Sequence, residues 1–196
     1  MTMKMLHGMV ASLMMLSLAL NGCYSGGNPY DPNKPTPTPT PVPGATPTPT
    51  PGTAQLQITA QTDKIAYNIG EEMSISVQTS KAAYINVFDI TPDGVVTRIF
   101  PNSYAVNNYL QAGQTCIIPS TNDPFKLKIA GPRGTERVRV VATTDSVNIV
   151  PARDFTGDSF AQYNGTVAQF DQAIDEQLAR LAAGSWGNVN ITFQVK

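Results

Sequence analysis

Histidine is almost absent from this chain of 196 residues, because the single one, His7, lies close to the N-terminus. We interpret residues 1–22 as a signal peptide that is removed on export, so the mature protein would contain no histidine. That composition excludes Ser-His and Cys-His nucleophile pairs and any zinc or haem site with a histidine ligand. We therefore predict that the protein binds no cofactor.

Cysteine is scarce as well, since the chain has only Cys23 and Cys116. Cys23 stands at the predicted processing site, which would leave Cys116 as the single cysteine of the mature chain. One thiol cannot form a four-cysteine metal site, and we predict no metal site. We interpret Cys116 as a small buried side chain in a strand around Thr115–Ile118, with a disulfide to another protein as the alternative.

An excess of charge of either sign is missing too. The sequence has 13 Lys and Arg against 14 Asp and Glu. No basic surplus exists that would attract nucleic acid, and no run of like charges marks an acidic tail. We predict that nucleic acid is not a partner.

The N-terminus has the pattern of a bacterial lipoprotein signal. Lys4 precedes the apolar run Met9–Leu20, which is too short to cross a bilayer core of ~30 Å as a helix but is typical of a secretory signal. The run ends in Leu20-Asn21-Gly22-Cys23, which resembles the bacterial lipobox. The resemblance implies cleavage between Gly22 and Cys23 and acylation of Cys23, for example with palmitate.

A lipidated cysteine would hold the protein at a membrane, because two or more acyl chains are enough for stable anchoring. Tyr24 follows Cys23, where an aspartate would resemble an inner-membrane retention signal. For a Gram-negative host we therefore expect the outer membrane, with the protein on its periplasmic or its cell-surface face.

Residues 23–53 form a predicted disordered linker rich in proline and threonine. Ten of the 16 prolines lie between Asn28 and Gly52, and proline prevents both helix and sheet there. Alternating Thr-Pro favours polyproline II, so roughly 30 residues would reach up to ~90 Å from the lipid. We interpret the segment as a spacer, with a proline-motif ligand or a glycosylated stalk as the alternatives.

Residues 54–196 are predicted to form one β-rich domain. Polar and apolar residues alternate in several short segments separated by turn residues, which favours an antiparallel β-sandwich, immunoglobulin-like or a partial barrel. Pro92-Asp93-Gly94 between two apolar runs predicts a hairpin. One amphipathic helix is expected near the C-terminus, begun by a capping box at Thr166 and Gln169 and followed by Gly184 at its C′ position. Its predicted apolar face consists of Phe170, Ile174, Leu178 and Leu181.

Three segments of this domain carry a resemblance to a known family. They are Tyr67-Asn-Ile-Gly70-Glu71, the long block from Lys81 through Tyr84, Phe88 and Pro92-Asp93-Gly94 to Asn102, and Ile129-Ala-Gly131-Pro132-Arg-Gly134 continuing to Thr143. In this order they resemble the bacterial family 4384 of domains of unknown function, over about residues 56–144. The resemblance implies a β-rich accessory module of exported proteins and lipoproteins, and it brings no catalytic residues. We interpret Tyr84 and Phe88 as core residues.

The carboxylates offer the remaining route to catalysis. Candidate sets are Asp89 with Asp93, Glu71 with Glu72, and Asp154 with Asp158. Two carboxylates at a suitable separation could cleave a glycosidic bond, and Asp154 with Asp158 could share a calcium ion. The spacing of the last pair matches no known calcium loop, and we interpret Asp89 and Asp93 as residues that serve turn geometry and solubility.

Aromatic residues are the candidates for a contact surface. Tyr104, Tyr109 and Trp186 could stack on a glycan or anchor a protein partner, with Tyr163 as a further candidate. The alternative is that they cover the open edge of the sandwich.

Taken together, the sequence predicts a non-catalytic, membrane-anchored lipoprotein that acts as an interaction or structural module of the cell envelope. Its partners would be other envelope proteins, as in a subunit of a secretion, pilus or flagellar assembly. The alternatives are a glycan- or peptidoglycan-binding lipoprotein and a hydrolase that depends on carboxylates.

Overall fold

The computed structural model describes residues 10–11 and 55–196. The predicted cleavage site at Gly22, the predicted lipidation of Cys23 and the predicted linker of residues 23–53 lie outside the described residues. The domain predicted for residues 54–196 is described from Gln55 onward.

The described chain contains fourteen strands, one α-helix and one short 3₁₀ helix (Ala152–Asp154). The helix α1 spans Val167–Leu178. The strands are β1 (Val10–Ala11), β2 (Ile58–Thr62), β3 (Ala66–Tyr67), β4 (Glu72–Met73), β5 (Ile75–Thr79), β6 (Ala83–Ile90), β7 (Val96–Phe100), β8 (Tyr109–Leu110), β9 (Thr115–Ile118), β10 (Leu127–Lys128), β11 (Gly134–Thr143), β12 (Phe155–Thr156), β13 (Ala161–Tyr163) and β14 (Trp186–Val195).

These strands form one large sheet and two small ones. The large sheet has the order β12-β13-β7-β6-β11-β14-β3, and β8 also pairs with β6. The small sheets have the orders β2-β5-β9 and β1-β10-β4. Among the described strands every pairing is antiparallel except that of β14 with β3, which is parallel.

The main core lies between one face of the large sheet and the small sheets. Ile85 and Val87 of β6 and Val138 and Val140 of β11 meet side chains of β4, β5, β9 and β10 there. Successive strand residues point to opposite faces of a sheet. The odd-numbered residues of β6 and the even-numbered residues of β11 therefore lie on the face of the main core. The predicted fold, mostly β with sheets packed face to face, is confirmed.

The helix α1 covers the other face of the large sheet. Phe170, Ile174 and Leu178 are buried against a second cluster that includes Phe88 of β6 and Val141 of β11. Burial of this apolar stripe removes it from water and holds the helix on the sheet. The predicted amphipathic helix is therefore confirmed.

The N-terminus of the helix agrees with the prediction, and its C-terminus does not. Thr166 accepts from the backbone N–H of Gln169 and completes a capping box, as expected. The prediction of Gly184 as the C′ residue is wrong, because the helix ends at Leu178. Short-range bonds from Arg180 N to Gln177 O and from Leu181 N to Leu178 O tighten the chain into a turn there.

The predicted hairpin joins β6 to β7. Gly94 has a φ of 86°, a conformation that suits glycine, and its N–H donates to the Thr91 carbonyl at 2.9 Å. We call this end of the large sheet the hairpin end.

The opposite end receives the N-terminal segment of the domain. The Leu56 N–H donates to the Gly184 carbonyl at 3.2 Å, and Gly184 comes just before β14. The predicted linker therefore joins the domain here, and we call this the linker end.

Candidate binding surface

A row of side chains crosses four neighbouring strands at the linker end. Tyr109 of β8 pairs with Tyr84 of β6, Tyr84 pairs with Thr143 of β11, and Thr143 pairs with Trp186 of β14. Residues directly opposite one another in a sheet project from the same face. Tyr109, Tyr84, Thr143 and Trp186 therefore line up on the face that also carries α1, and we call them the aromatic row.

The rings of the row are partly open to solvent. Tyr84, Tyr109 and Trp186 are all half-buried. The rings of Tyr84 and Tyr109 meet with centroids 5.1 Å apart at an interplanar angle of 56°. Four adjacent strands span three inter-strand spacings, roughly 14 Å. The row thus carries the paired rings of Tyr84 and Tyr109 on one side and Trp186 on the other, with the buried Thr143 between them.

The length of the helix explains why the ring of Tyr84 stays partly open. Twelve residues make α1 only about 18 Å long, and it packs on the middle and hairpin end of this face, where Phe88 meets Phe170 with centroids 4.9 Å apart. Tyr84 lies on the same face as Phe88, four residues closer to the linker end. The prediction that Phe88 is a core residue is confirmed, whereas Tyr84 is only half-buried.

Amide side chains lie beside the aromatic row. Asn86 of β6 and Asn188 of β14 both pair with Val141 of β11, so they project from the same face one step toward the hairpin end. Asn188 is exposed, and Asn86 carries a buried amide nitrogen that has no acceptor. The exposed amide of Asn188 beside these rings could orient a polar ligand.

The remaining predicted contact residues lie elsewhere. Tyr104 is exposed and packs near Phe125 and Phe160, with centroids 6.0 and 6.2 Å away. Tyr163 packs edge-on against Phe170 in the cluster under α1. The structure therefore brings Tyr109 and Trp186 together and places Tyr104 in a separate cluster of rings.

Tyr84 and Thr143 are the members of the row that the sequence does not predict as contact residues, since it predicts Tyr84 in the core. The alternation in β6 puts Tyr84 on the face of Phe88, which was a usable signal. Which residues of β8, β11 and β14 stand beside it depends on strand register, and the sequence does not reveal register across such long separations.

Among the predicted carboxylates, Glu71 and Asp93 serve local structure and Asp89 is buried. Glu71 accepts from the backbone N–H of Asn68 at 2.7 Å, and Asp93 accepts from the Thr91 hydroxyl. Asp89 was expected to serve a turn and solubility, and that expectation is wrong, because Asp89 is fully buried. It lies on the same face of β6 as Ile85 and Val87, which point into the main core.

Asp154 and Asp158, the predicted candidates for a shared calcium ion, lie between β11 and α1. Asp158 is exposed and Asp154 is half-buried at the end of the 3₁₀ helix. Within residues 55–196, no group of three or more acidic, histidine or cysteine side chains could hold a metal ion. Cys116 is buried in β9, as predicted.

An open groove of about 620 Å³ lies between α1 and the segment from the 3₁₀ helix to β13. Its walls include Arg153, Asp154, Gln169, Gln172 and Glu176. Arg153 is largely exposed and pairs loosely with Asp154 at 3.8 Å. The groove is polar and shallow, unlike the enclosed apolar pockets that usually bind small molecules.

No helix in the described part of the chain is long and apolar enough to cross a membrane. No curated protein and no solved structure shows significant similarity to this chain. Residues 66–146, which span β3 to β11 and include Tyr84, Tyr109 and Thr143, match the model of the family described as "Domain of unknown function (DUF4384)", and this match confirms the resemblance predicted from the sequence.

Proposed function

We propose that this chain is an outer-membrane lipoprotein whose β domain is a non-catalytic binding module for other proteins of the cell envelope. Cys23 carries the anchor, residues 23–53 provide reach, and the aromatic row is the contact surface. Three observations support the proposal. They are the signal pattern at the N-terminus, the absence of histidine from residues 23–196 and the arrangement of aromatic rings at the linker end.

The aromatic row is the observation that carries the proposal. Half-buried tyrosine and tryptophan side chains are rigid, combine an apolar body with a polar tip, and dominate the energetics of many interfaces. Three of them stand in one register across a sheet, where the backbone fixes their spacing. A partner that binds there would meet a surface that is already organised, so little side-chain entropy would be lost on binding.

The position of the row suits a tethered module. The row and the start of the domain at Leu56 lie at the same end of the large sheet, so a partner bound at the row sits close to the linker. A linker of this length lets the domain search up to ~90 Å from the lipid while it remains concentrated near the membrane.

In-cell photo-crosslinking tests the proposal. A photoreactive amino acid at Tyr109 should give discrete protein adducts in the membrane fraction, and the same group at exposed Asp158 serves as the control position. The Cys23→Ala variant should lose the adducts because the module is no longer held near its partner. If both positions gave the same heterogeneous adducts, or if Tyr109 gave none, the aromatic row would not be a protein-binding surface.

A glycan is the second candidate ligand, because half-buried rings beside an exposed amide also suit the faces and hydroxyl groups of sugars. Sedimentation with purified cell-wall sacculi tests this. Tyr84→Ala and Tyr109→Ala should each weaken binding by about tenfold or more if the rings act as hot spots, with Tyr104→Ala as the matched control. Equal binding by all variants would remove the glycan candidate.

A further inference from the structure

Two carboxyl side chains meet inside the domain at the hairpin end. Asp89 of β6 pairs across the sheet with Val138 of β11, and Glu136 lies two residues before Val138. Asp89 and Glu136 are therefore diagonal neighbours on the face that carries the main core. Their exposed fractions are 0% and 1%.

Among the described residues, no cation contributes to the electrostatics of either carboxyl group. The arginines of β11, Arg137 and Arg139, project from the opposite face and bind Asp171 and Asp175 of α1. On the adjoining strand β7, the residue opposite Asp89 is the uncharged Thr97. The further charge that acts on Glu136 is the carboxylate of Asp93, which is also negative.

The hydrogen bonding of the pair is incomplete if both groups are ionised. Both oxygens of Asp89 and the Oε1 atom of Glu136 are buried and have no donor among the described residues. An ionised carboxylate is only an acceptor, so two of them cannot bond to each other. One added proton supplies the missing donor, because a protonated carboxyl group can donate its O–H to the neighbouring carboxylate.

We propose that Asp89 and Glu136 share one proton in the folded domain and that loss of this proton loosens the hairpin end as pH rises. The pair is then a pH-sensitive element that holds β6 to β11 more tightly while the shared proton is bound than after it is lost. This inference concerns the interior of the domain and does not depend on the proposed binding at the aromatic row.

The direction of the pH effect follows from which state holds the proton. Burial raises the pKa of Asp89 well above its ordinary value, and the negative charge of Glu136 and the hydrogen bond between them raise it further. Burial also raises the pKa of Glu136; the bond to Asp89 lowers it in part, and the charge of Asp93 raises it. The unfolded chain loses these protons near pH 4, so stability is complete below about pH 4 and declines as pH rises through the folded-state pKa.

Equilibrium unfolding of the full mature chain in urea tests this inference. For wild type, the ratio of folded to unfolded protein should fall by about tenfold per pH unit for one proton, over the range between the unfolded-state and folded-state pKa values. Asp89→Asn should remove this decline, because the asparagine amide donates to Glu136 at every pH. Asp158→Asn, a change at an exposed carboxyl, should keep the wild-type profile.

Two outcomes would overturn the proposal. The first is the same decline in wild type and Asp89→Asn. The second is stabilisation of wild type by millimolar calcium that Asp89→Asn abolishes, since the pair would then hold a cation instead of a proton. If Asp89→Asn does not fold, infrared spectroscopy of wild type decides the question. A protonated carboxyl band should persist above the pH at which ordinary carboxyl groups ionise, and its absence would contradict the shared proton.

Discussion

Asp171 of α1 accepts a hydrogen bond from Arg139 of β11 at 2.7 Å, across the face of the large sheet that the helix covers. Arg137 donates to the same carboxylate through Nη2, at 2.8 and 3.1 Å. Arg139 is only 4% exposed and also donates to Asp175. Two arginines of β11 thus bind one residue of α1. These ion pairs set the position of the helix on the sheet, in addition to its apolar packing.

Loss of the Asp171 carboxylate should destabilise the domain far more than loss of Asp175. Asp171→Asn leaves the buried Arg139 guanidinium with one partner, so we expect a loss of about 3 kcal/mol, at the low end for breaking a buried ion pair. Asp175 is 67% exposed, and exposed pairs contribute less than about 1 kcal/mol. Urea unfolding of Asp171→Asn and Asp175→Asn measures both. Equal losses would show that the pairing at Asp171 does not fix the helix.

The same pairing predicts a second pH effect with the opposite sign to that of Asp89. Burial raises the pKa of Asp171, but hydrogen bonds from Arg137 and Arg139 and their charges lower it by more, so the net shift is downward. Its stabilising effect is therefore present above the unfolded-state pKa of about 3.9 and lost as pH falls through the folded-state pKa.

The two pH effects should be separable by mutation. Asp171→Asn should flatten the loss of stability below about pH 4 and leave the decline at higher pH unchanged, whereas Asp89→Asn should do the reverse. The midpoints of urea unfolding, measured across the pH range, report both the loss of stability at low pH and the decline at higher pH. If one substitution removed both pH effects, the helix face and the core face of the sheet would be energetically coupled.

Local patterns predicted the parts of this fold that depend on neighbours in sequence. The capping box at Thr166, the apolar stripe from Phe170 to Leu178 and the turn at Gly94 each follow from residues within a few positions of one another. Alternation along a strand also predicts which face a residue lies on. Asp89 is two residues after Val87 in β6 and lies on the same buried face. The partner of Asp89 is Glu136, 47 positions away in the sequence, and only strand register reveals such a pair.

The close approach of the N-terminal segment to β14 leads to a third stability prediction. A Cβ atom at Gly187 would lie 2.8 Å from the Leu56 carbonyl oxygen, which is backbone and cannot move aside cheaply. Gly187→Ala should therefore cost about 1–3 kcal/mol through overpacking. Asn188→Ala, at the exposed neighbour, should stay within about 0.5 kcal/mol of wild type. Thermal unfolding compares the two variants, and a neutral Gly187→Ala would mean that Leu56 does not pack closely on β14.

Anchoring through Cys23 predicts a change of compartment that does not alter the fold. Wild type should partition with detergent and incorporate a labelled fatty acid, because two or more acyl chains give stable membrane attachment. Cys23→Ala should lose the label and move to the aqueous phase. Cys116→Ala, which removes the other cysteine, should keep the label and the membrane attachment. An intact mass of the mature chain that shows no acyl chains and both cysteines oxidised would contradict an anchor at Cys23, and the linker would then need another role.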